Sequence, residues 1–142
     1  MANITAKDVA ELRKQTGVGM MDCKKALMEA DGDFEKATLI LREKGLATQA
    51  KKSGRVAAEG IVMSMTNADH TVGAVVEVNI ETDFAANNDE FKKFVNDVAQ
   101  TIIDTNPADL EALNAAQISG GTMTVAETLQ ELFLKILSLI HI

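Results

Sequence analysis

The chain has 142 residues, with 14 Lys and Arg against 21 Asp and Glu, and a formal net charge of −7. This length allows one domain, or one small and one modest domain, and it is enough to bury about two-thirds of the unfolded surface. The acidic balance argues against a dedicated nucleic-acid-binding protein. A single Cys excludes an internal disulfide framework and is typical of a reducing compartment.

Charge is distributed unevenly along the chain. Residues 1–55 carry 11 basic and 8 acidic side chains, a net of +3, whereas residues 56–142 carry 3 basic and 13 acidic side chains, a net of −10. This change of sign near residue 55 indicates a boundary between two units. The first eight residues lack the basic and apolar segments of a signal peptide, and no apolar run reaches the ~20 residues of a membrane-spanning helix, so neither is predicted.

The first unit, residues 1–55, is predicted to form three short helices. Thr5 starts a capping-box pattern, and the first helix is predicted to end before Gly17. Asp22 is predicted to cap the second helix, and the third is predicted to stop at Gly45 as a C-terminal glycine. Three short helices joined by tight turns predict a small helical bundle.

The basic segment 51–55, Lys-Lys-Ser-Gly-Arg, follows this bundle. It is interpreted as a solvated linker between the two units. A phosphate-contacting patch is the alternative, since basic side chains are what phosphates require. The lack of interleaved aromatic residues and the acidity of the whole chain favour the linker.

The second unit is predicted to begin with a β-hairpin and then become helical. Residues 61–66 and 72–78 are β-favouring runs separated by a polar turn. The apolar spacing predicts a helix over 88–104, Pro107 is predicted to open a short helix, and Thr124 begins a second capping-box pattern. Because two strands make a marginal sheet, a third strand or a partner is expected to complete it.

No catalytic constellation is visible in the sequence. His70 and His141 are the only histidines, and neither has metal-ligating residues at a suitable spacing. Cys23 lies on the apolar side of the second helix and is predicted to be a buried, unreactive thiol. Neither a Gly-x-Gly-x-x-Gly motif nor a P-loop is present. The protein is therefore not expected to be an enzyme or to hold a cofactor.

Two segments have residue types that a small fold does not require. Met20 and Met21 follow a double-glycine turn, where they either fill a small core or form a pliable apolar contact surface. Thr82-Asp83-Phe84 lies where the hairpin ends and a helix begins. Phe84 either packs in the core or protrudes beside the acid as a contact for another protein.

These segments belong to two longer motifs that resemble the bacterial elongation factor Ts family. Residues 16–27 read TGVGMMDCKKAL and residues 77–84 read EVNIETDF. The resemblance extends from about Ile4 to Ile136. It implies an α+β fold, with a three-helix domain like a ubiquitin-associated domain in 1–55. The N-terminal half of the family's core, an incomplete antiparallel sheet with helices, then occupies 56–136.

The resemblance also implies a function. Members of this family are guanine-nucleotide exchange factors that bind the GDP-bound GTPase elongation factor Tu in the cytoplasm and promote release of GDP by displacing Mg²⁺. By this resemblance, Thr82, Asp83, Phe84 and Ala85 are the residues that dislocate Mg²⁺ from the GTPase. No metal or cofactor of its own, no direct nucleic-acid contact and no membrane contact are implied.

The resemblance assigns a second set of residues to partner binding. Arg13, Met20 and Met21 match a pocket for an apolar helix of the GTPase. Lys24 and Lys52 match further contact positions. A passive adaptor, in which the three-helix domain binds a protein without exchange activity, remains the alternative.

The end of the chain departs from the family pattern. Residues 137–142, Leu-Ser-Leu-Ile-His-Ile, are apolar where family members continue with glycine and a polar, basic stretch. These residues are interpreted as a tail outside the family pattern on a truncated product. The strand needed to complete the sheet is expected to be absent along with the rest of the family's core.

Overall fold

A computed structural model gives the structure of the chain and describes residues 3–142. Within that range there are seven helices and one three-stranded antiparallel sheet, which confirms the α+β class. In chain order the elements are α1 (Ala6–Thr16), α2 (Met20–Glu29), α3 (Phe34–Lys52), β1 (Glu59–Thr66), β2 (Gly73–Ile80), α4 (Asp83–Ala86), α5 (Asp89–Thr105), α6 (Leu110–Ala115), α7 (Val125–Ile136) and β3 (Ile140–His141). The first two residues of the predicted 1–55 unit lie outside the described residues.

The first helix begins and ends where the sequence predicts. The Thr5 side chain accepts a hydrogen bond from the Asp8 N–H, and the Asp8 carboxylate accepts one from the Thr5 N–H at 2.8 Å. Gly17 ends the helix in the left-handed conformation, with φ +70°, and its N–H donates to the Arg13 carbonyl at 2.7 Å. This is a conformation that glycine adopts without a Cβ clash.

The second helix begins earlier than predicted, because Gly19 and not Asp22 is its N-cap. The Cys23 N–H already donates to the Gly19 carbonyl at 3.0 Å, which places Met20 and Met21 in the first helical turn. Asp22 lies within that turn, where a carboxylate interacts favourably with the positive end of the helix dipole.

The third helix does not stop at Gly45, and that prediction is wrong. The helix continues to Lys52, and Gly45 is buried within it. A Cβ added at Gly45 would lie 2.8 Å from Leu134 Cγ and closer still to Leu134 Cδ2. Gly45 therefore lets α7 approach α3 closely, and the basic residues Lys51 and Lys52 are helical.

The predicted hairpin is confirmed, and the sheet has a third strand. Strands β1 and β2 pair antiparallel from Glu59 opposite Ile80 to Thr66 opposite Gly73. On the other edge of β2, Ile140 pairs with Ile80. The expectation that this strand is absent is wrong. Leu137 adopts a left-handed conformation, with φ 56°, directly after α7, and the chain returns from there to β2.

The remaining helices follow the sequence pattern closely. Asn88 caps α5, and its side-chain oxygen accepts from the second and third helical N–H groups. Asp109 caps α6, which begins three residues after Pro107, so the prediction that Pro107 opens this helix is wrong. Thr124 and Glu127 form the predicted capping box of α7, in which the Glu127 carboxylate accepts from the Thr124 N–H at 2.8 Å.

Two hydrophobic clusters share α7. One lies between the sheet and the later helices, where Val125 and Leu132 of α7 are buried. The other lies between the three N-terminal helices, and Leu134 of α7 packs against it. An ion pair between Arg42 of α3 and Glu131 of α7, at 2.8 Å, lies beside this contact. The largest fully buried side chains of the first cluster are Phe91, Ile80, Val78, Val95, Val98 and Val125, and those of the second are Leu12, Leu27 and Cys23.

The contact at Gly45 gives a stability prediction. Gly45→Ala should lower the free energy of unfolding, because overpacking costs about 1–3 kcal/mol and exceeds the helix-propensity gain of about 1 kcal/mol. Gly54→Ala is the control, since an added Cβ there meets nothing within 4 Å. Urea denaturation of both variants measures the difference. A Gly45→Ala variant at least as stable as the wild type would show that the α3–α7 contact accommodates the methyl group.

Candidate protein-binding site

The segment Thr82–Ala85 forms the start of the short helix α4. Thr82 is its N-cap, and its hydroxyl oxygen accepts a hydrogen bond from the Ala85 N–H at 3.1 Å. The Asp83 carboxylate accepts from the Phe84 N–H at 2.8 Å, and the Asn87 side chain donates to the Asp83 carbonyl. The turn is thus fixed by its own hydrogen bonds and begins two residues after the end of β2.

Phe84 is the most exposed large apolar side chain that the structure describes, at 88% exposed. The next two residues, Ala85 and Ala86, are buried in the cluster below the sheet, so α4 turns its alanines inward and Phe84 outward. Burying a phenylalanine side chain stabilises a protein by about 1.5–3 kcal/mol, and Phe84 does not contribute this stabilisation to the fold. Between the two interpretations of Phe84, core and protruding contact, the structure has the protruding one.

A second exposed apolar surface lies on the three-helix bundle. Met20 and Met21 are 50% and 64% exposed in the first turn of α2. Lys24 is exposed one turn later, and Arg13 is exposed in the last turn of α1. Lys24 follows Met20 by four residues and therefore shares its face of α2, which gives this flexible apolar surface a cationic edge.

A cleft separates the bundle from α4. Its lining comes from the end of α1 and the turn after it (Lys14, Gln15 and Gly17), from α4 and its N-cap (Thr82, Phe84 and Ala85), and from the end of α3 (Lys52). Lys52 is half-buried, and its Nζ donates to the Leu137 carbonyl at 2.7 Å and lies 5.8 Å from the centre of the Phe133 ring. The structure thus brings Lys52 together with the Thr82–Ala85 segment. Arg13, Met20, Met21 and Lys24 lie outside the lining of this cleft.

Glu81, which directly precedes Thr82, has a set of contacts that sequence reasoning missed. Its carboxylate accepts hydrogen bonds from the Leu139 N–H at 2.7 Å, the Ser138 hydroxyl at 3.2 Å and the Arg55 guanidinium at 3.3 Å. These donors are 26 to 58 residues away in sequence, so no local pattern signals them. We call Arg55, Glu81, Ser138 and Leu139 the Glu81 cluster.

The donors of the Glu81 cluster set the acidity of its carboxyl group. The Leu139 N–H has the largest effect and holds the pKa of Glu81 below its ordinary value, against the opposite effect of partial burial. Hydrogen bonds from Arg55 and Ser138 and the nearby charge of Lys52 lower the pKa further. All of these donors favour the ionised carboxylate over the protonated form.

Cys23 and His70, the other side chains with potential reactivity, each contact a neighbouring group of the fold. Cys23 is fully buried, as predicted, and its Sγ donates weakly to the Val18 carbonyl at 3.5 Å. His70 Nδ1 lies 3.0 Å from the Thr66 hydroxyl in the hairpin turn. No group of three or more His, Cys, Asp or Glu in residues 3–142 is arranged to hold a metal ion. Over the same residues, no helix has the length and apolarity needed to cross a bilayer.

The geometry described so far indicates a protein-binding module, with two exposed apolar surfaces on a fixed scaffold. Comparison with known proteins identifies the family. The family described as Elongation factor TS matches residues 81–142. That match continues through Ile142, six residues beyond the point where the resemblance is expected to end.

Curated relatives match nearly the whole chain. Elongation factor Ts of Clostridium perfringens (strain SM101 / Type A) is 55% identical over 133 residues, which are 94% of this chain and 44% of that protein. Elongation factor Ts of Clostridioides difficile (strain 630) is 56% identical over 131 residues, 92% of this chain and 42% of that protein. The chain belongs to the elongation factor Ts family and spans less than half the length of these relatives. The division at residues 55 and 136 and the likeness of the bundle to a ubiquitin-associated domain stay predictions.

The Glu81 cluster gives a pH-dependent stability prediction. Because the pKa of Glu81 is lowered in the folded state, its stabilising contribution is present above the unfolded-state pKa of about 4.3 and is lost as the pH falls through the folded-state pKa. At pH 7, Glu81→Gln should therefore reduce the free energy of unfolding by about 1–3 kcal/mol, the range for hydrogen bonds to a charged group.

Urea denaturation of the wild type and Glu81→Gln from pH 7 to pH 3 measures this contribution. The difference between the two proteins should shrink below about pH 4, because the wild-type carboxyl group then becomes protonated. Acid effects at other carboxylates occur in both proteins and cancel in the difference. A difference that stays constant over the whole range would contradict the assignment to Glu81.

Proposed function

We propose that the chain acts as a guanine-nucleotide exchange factor for elongation factor Tu, working through binding energy and not as an enzyme. The observation that carries the proposal is the exposure of Phe84 on a fixed turn within the EVNIETDF motif of an elongation factor Ts family member. The proposed setting is the cytoplasm, where translation takes place. The apolar surface on the bundle supports a two-point contact with one protein.

Thermodynamic linkage defines what such a factor must do. It must bind the nucleotide-free GTPase more tightly than the GDP-bound form, and each ligand then weakens the other by the same factor. Much of the affinity for GDP depends on Mg²⁺ and the phosphates, because the cation is the largest local charge in such a site. Moving the segment that holds the metal therefore releases the nucleotide.

The Thr82–Ala85 segment is suited to that displacement. Thr82 fixes the turn by its N-cap hydrogen bond, and the buried Ala85 anchors the turn to the core. Phe84 then enters the GTPase between helices near its Mg²⁺ site, with Asp83 beside it making polar contacts to the segment that holds the metal. The Phe84 ring is already solvent-exposed in the free chain, so insertion needs no rearrangement of this helix.

The bundle surface supplies affinity away from the nucleotide. Met20 and Met21 would contact an apolar helix of the GTPase, with Arg13 and Lys24 at the edge of that contact. Lys52 lines the cleft together with Phe84, and its Nζ binds the Leu137 carbonyl and lies near the Phe133 ring. In this chain Lys52 therefore supports the site from within as well as lining it.

Stopped-flow release of fluorescent GDP from elongation factor Tu tests the proposal. The chain should accelerate release in a concentration-dependent way that saturates. No acceleration at saturating chain would contradict exchange activity. Binding to elongation factor Tu without acceleration would favour the passive adaptor, in which only the bundle surface is used.

The wedge role of Phe84 predicts a specific kinetic change. Phe84→Ala should reduce the maximal rate of GDP release by about thirtyfold, the equivalent of about 2 kcal/mol, since the ring acts mainly while the nucleotide leaves. The Kd for nucleotide-free elongation factor Tu should change by less than about fivefold. Val75→Ala removes another side chain that is 74% exposed and should leave both values unchanged. An unaltered maximal rate in Phe84→Ala would refute the wedge.

The bundle surface predicts the opposite pattern. Met20→Ala combined with Met21→Ala should weaken binding by about tenfold, because buried apolar contact is lost, while the maximal rate at saturation is retained. Leu110→Ala, which shortens a side chain 54% exposed on α6, is the matched control. Titration of the GDP release rate against chain concentration separates the two parameters. An unchanged half-maximal concentration in the methionine variant would show that Met20 and Met21 do not contribute to the interface.

A further inference from the structure

Glu81 lies at the point where three parts of the chain meet. Its backbone is the last step from β2 to the cap of α4, since Thr82 follows it directly. Its carboxylate binds Arg55 in the connection from the bundle and both Ser138 and Leu139 in the connection from α7 to β3. The Glu81 side chain is only 15% exposed, so its contacts with Ser138 and Leu139 are partly shielded from water, whereas the Arg55 side chain is 60% exposed.

The same connection is held from the bundle side by Lys52. The Lys52 Nζ donates to the Leu137 carbonyl at 2.7 Å, one residue before the Ser138 that binds Glu81. Residues 137–139 are therefore fixed between the end of α3 and the end of β2. These hydrogen bonds add to the packing of α7 against α3 in joining the bundle to the base of α4, beside the cleft that both of them line.

This arrangement bears on how two surfaces reach one partner. Met20 and Met21 are exposed on the bundle, outside the lining of the cleft, whereas Phe84 lines the cleft from α4. Once one surface is bound to the partner, binding of the second surface is intramolecular. Its strength then depends on the effective concentration of the second surface near its site on the partner, which the connecting structure sets. A fixed orientation raises that concentration and avoids an ordering cost on binding.

We propose that Glu81 is a positioning residue that holds Phe84 at a fixed orientation to the bundle surface, so that both surfaces engage one GTPase together. The inference rests on the proposed function for its partner, whereas its geometric part concerns the free chain alone. A carboxylate is required because it accepts from three donors at once. A glutamine would offer one acceptor oxygen and turn an NH₂ group towards the remaining donors.

Glu81→Gln is the test variant, and Glu127→Gln is its matched control. The Glu127 carboxylate also accepts a backbone N–H, that of Thr124 at 2.8 Å, but it does so at the start of α7 and does not line the cleft. Each substitution removes one negative charge from a carboxylate that accepts a backbone N–H. Circular dichroism at 25 °C shows that each variant is folded before the measurements.

The geometric part is measured in the free chain by the distance between two spin labels. The labels are attached at Phe84→Cys and Lys25→Cys in a Cys23→Ser background, and pulsed electron resonance gives the distance distribution. A narrow distribution is expected for the parent and for Glu127→Gln, and a distribution at least about twice as wide for Glu81→Gln. An equally narrow distribution at the same mean in Glu81→Gln would overturn the proposal.

The functional part is measured by GDP release from elongation factor Tu as a function of chain concentration. Glu81→Gln should raise the half-maximal concentration by about tenfold and leave the maximal rate within about twofold, because Phe84 itself is intact. A reduced maximal rate with an unchanged half-maximal concentration would overturn the positioning role. If the wild type itself gives no acceleration, the proposed function fails, and the label distances alone decide whether Glu81 orients Phe84.

Ser138→Ala keeps the test decisive if Glu81→Gln does not fold. It removes one of three donors and leaves both the carboxylate charge and the Arg55 contact in place. A smaller broadening and a smaller rise in half-maximal concentration are expected, in the same direction. No change in either measurement would contradict the proposal.

Discussion

The packing of α7 against two hydrophobic clusters is the constraint on which the arrangement of this chain depends. Leu132 is buried with the sheet and α5, whereas Leu134, two residues on, packs against the three-helix bundle. Gly45 allows that second contact because a methyl group there would overlap Leu134. A bundle of roughly 45 residues is near the lower limit for independent stability, so the shared helix supports the bundle as well as orienting it.

Function follows from what this packing leaves exposed. With Ala85 and Ala86 held in the core, α4 presents Phe84 to solvent, and the bundle presents Met20 and Met21. Both surfaces leave apolar area exposed to water, and a partner that buries this area gains binding free energy. Two exposed surfaces on one fixed fold allow a partner to be bound at two points, which is the mode of contact in the proposed exchange function.

Local signals in the sequence were sufficient for much of the fold. The capping pairs at Thr5 and Thr124 and the alternating strands of the hairpin depend on neighbouring residues, and all of them form as predicted. The cap of the second helix was misplaced within a local pattern, at Asp22 instead of Gly19, whereas the errors at Gly45 and β3 have non-local causes. Gly45 is typical of a helix end until its contact with Leu134 is known, and β3 depends on a chain reversal at Leu137.

The site divides in the same way. Its motif was readable from sequence, but the exposure of Phe84 was not, because a phenylalanine between a strand and a helix packs inward as readily as outward until the burial of its neighbours is known. The contacts of Glu81 were also out of reach, since its donors lie 26 to 58 residues away. The family resemblance predicts which residues contact a partner, whereas the tertiary structure determines which of them are exposed.

The proposed function requires both surfaces to contact elongation factor Tu at the same time. Amide hydrogen exchange of the chain, read by mass spectrometry with and without nucleotide-free elongation factor Tu, tests it most directly. Peptides covering 17–25 and 82–88 should both exchange more slowly on binding, at one and the same partner concentration. Protection of one segment alone, or of neither, would contradict it.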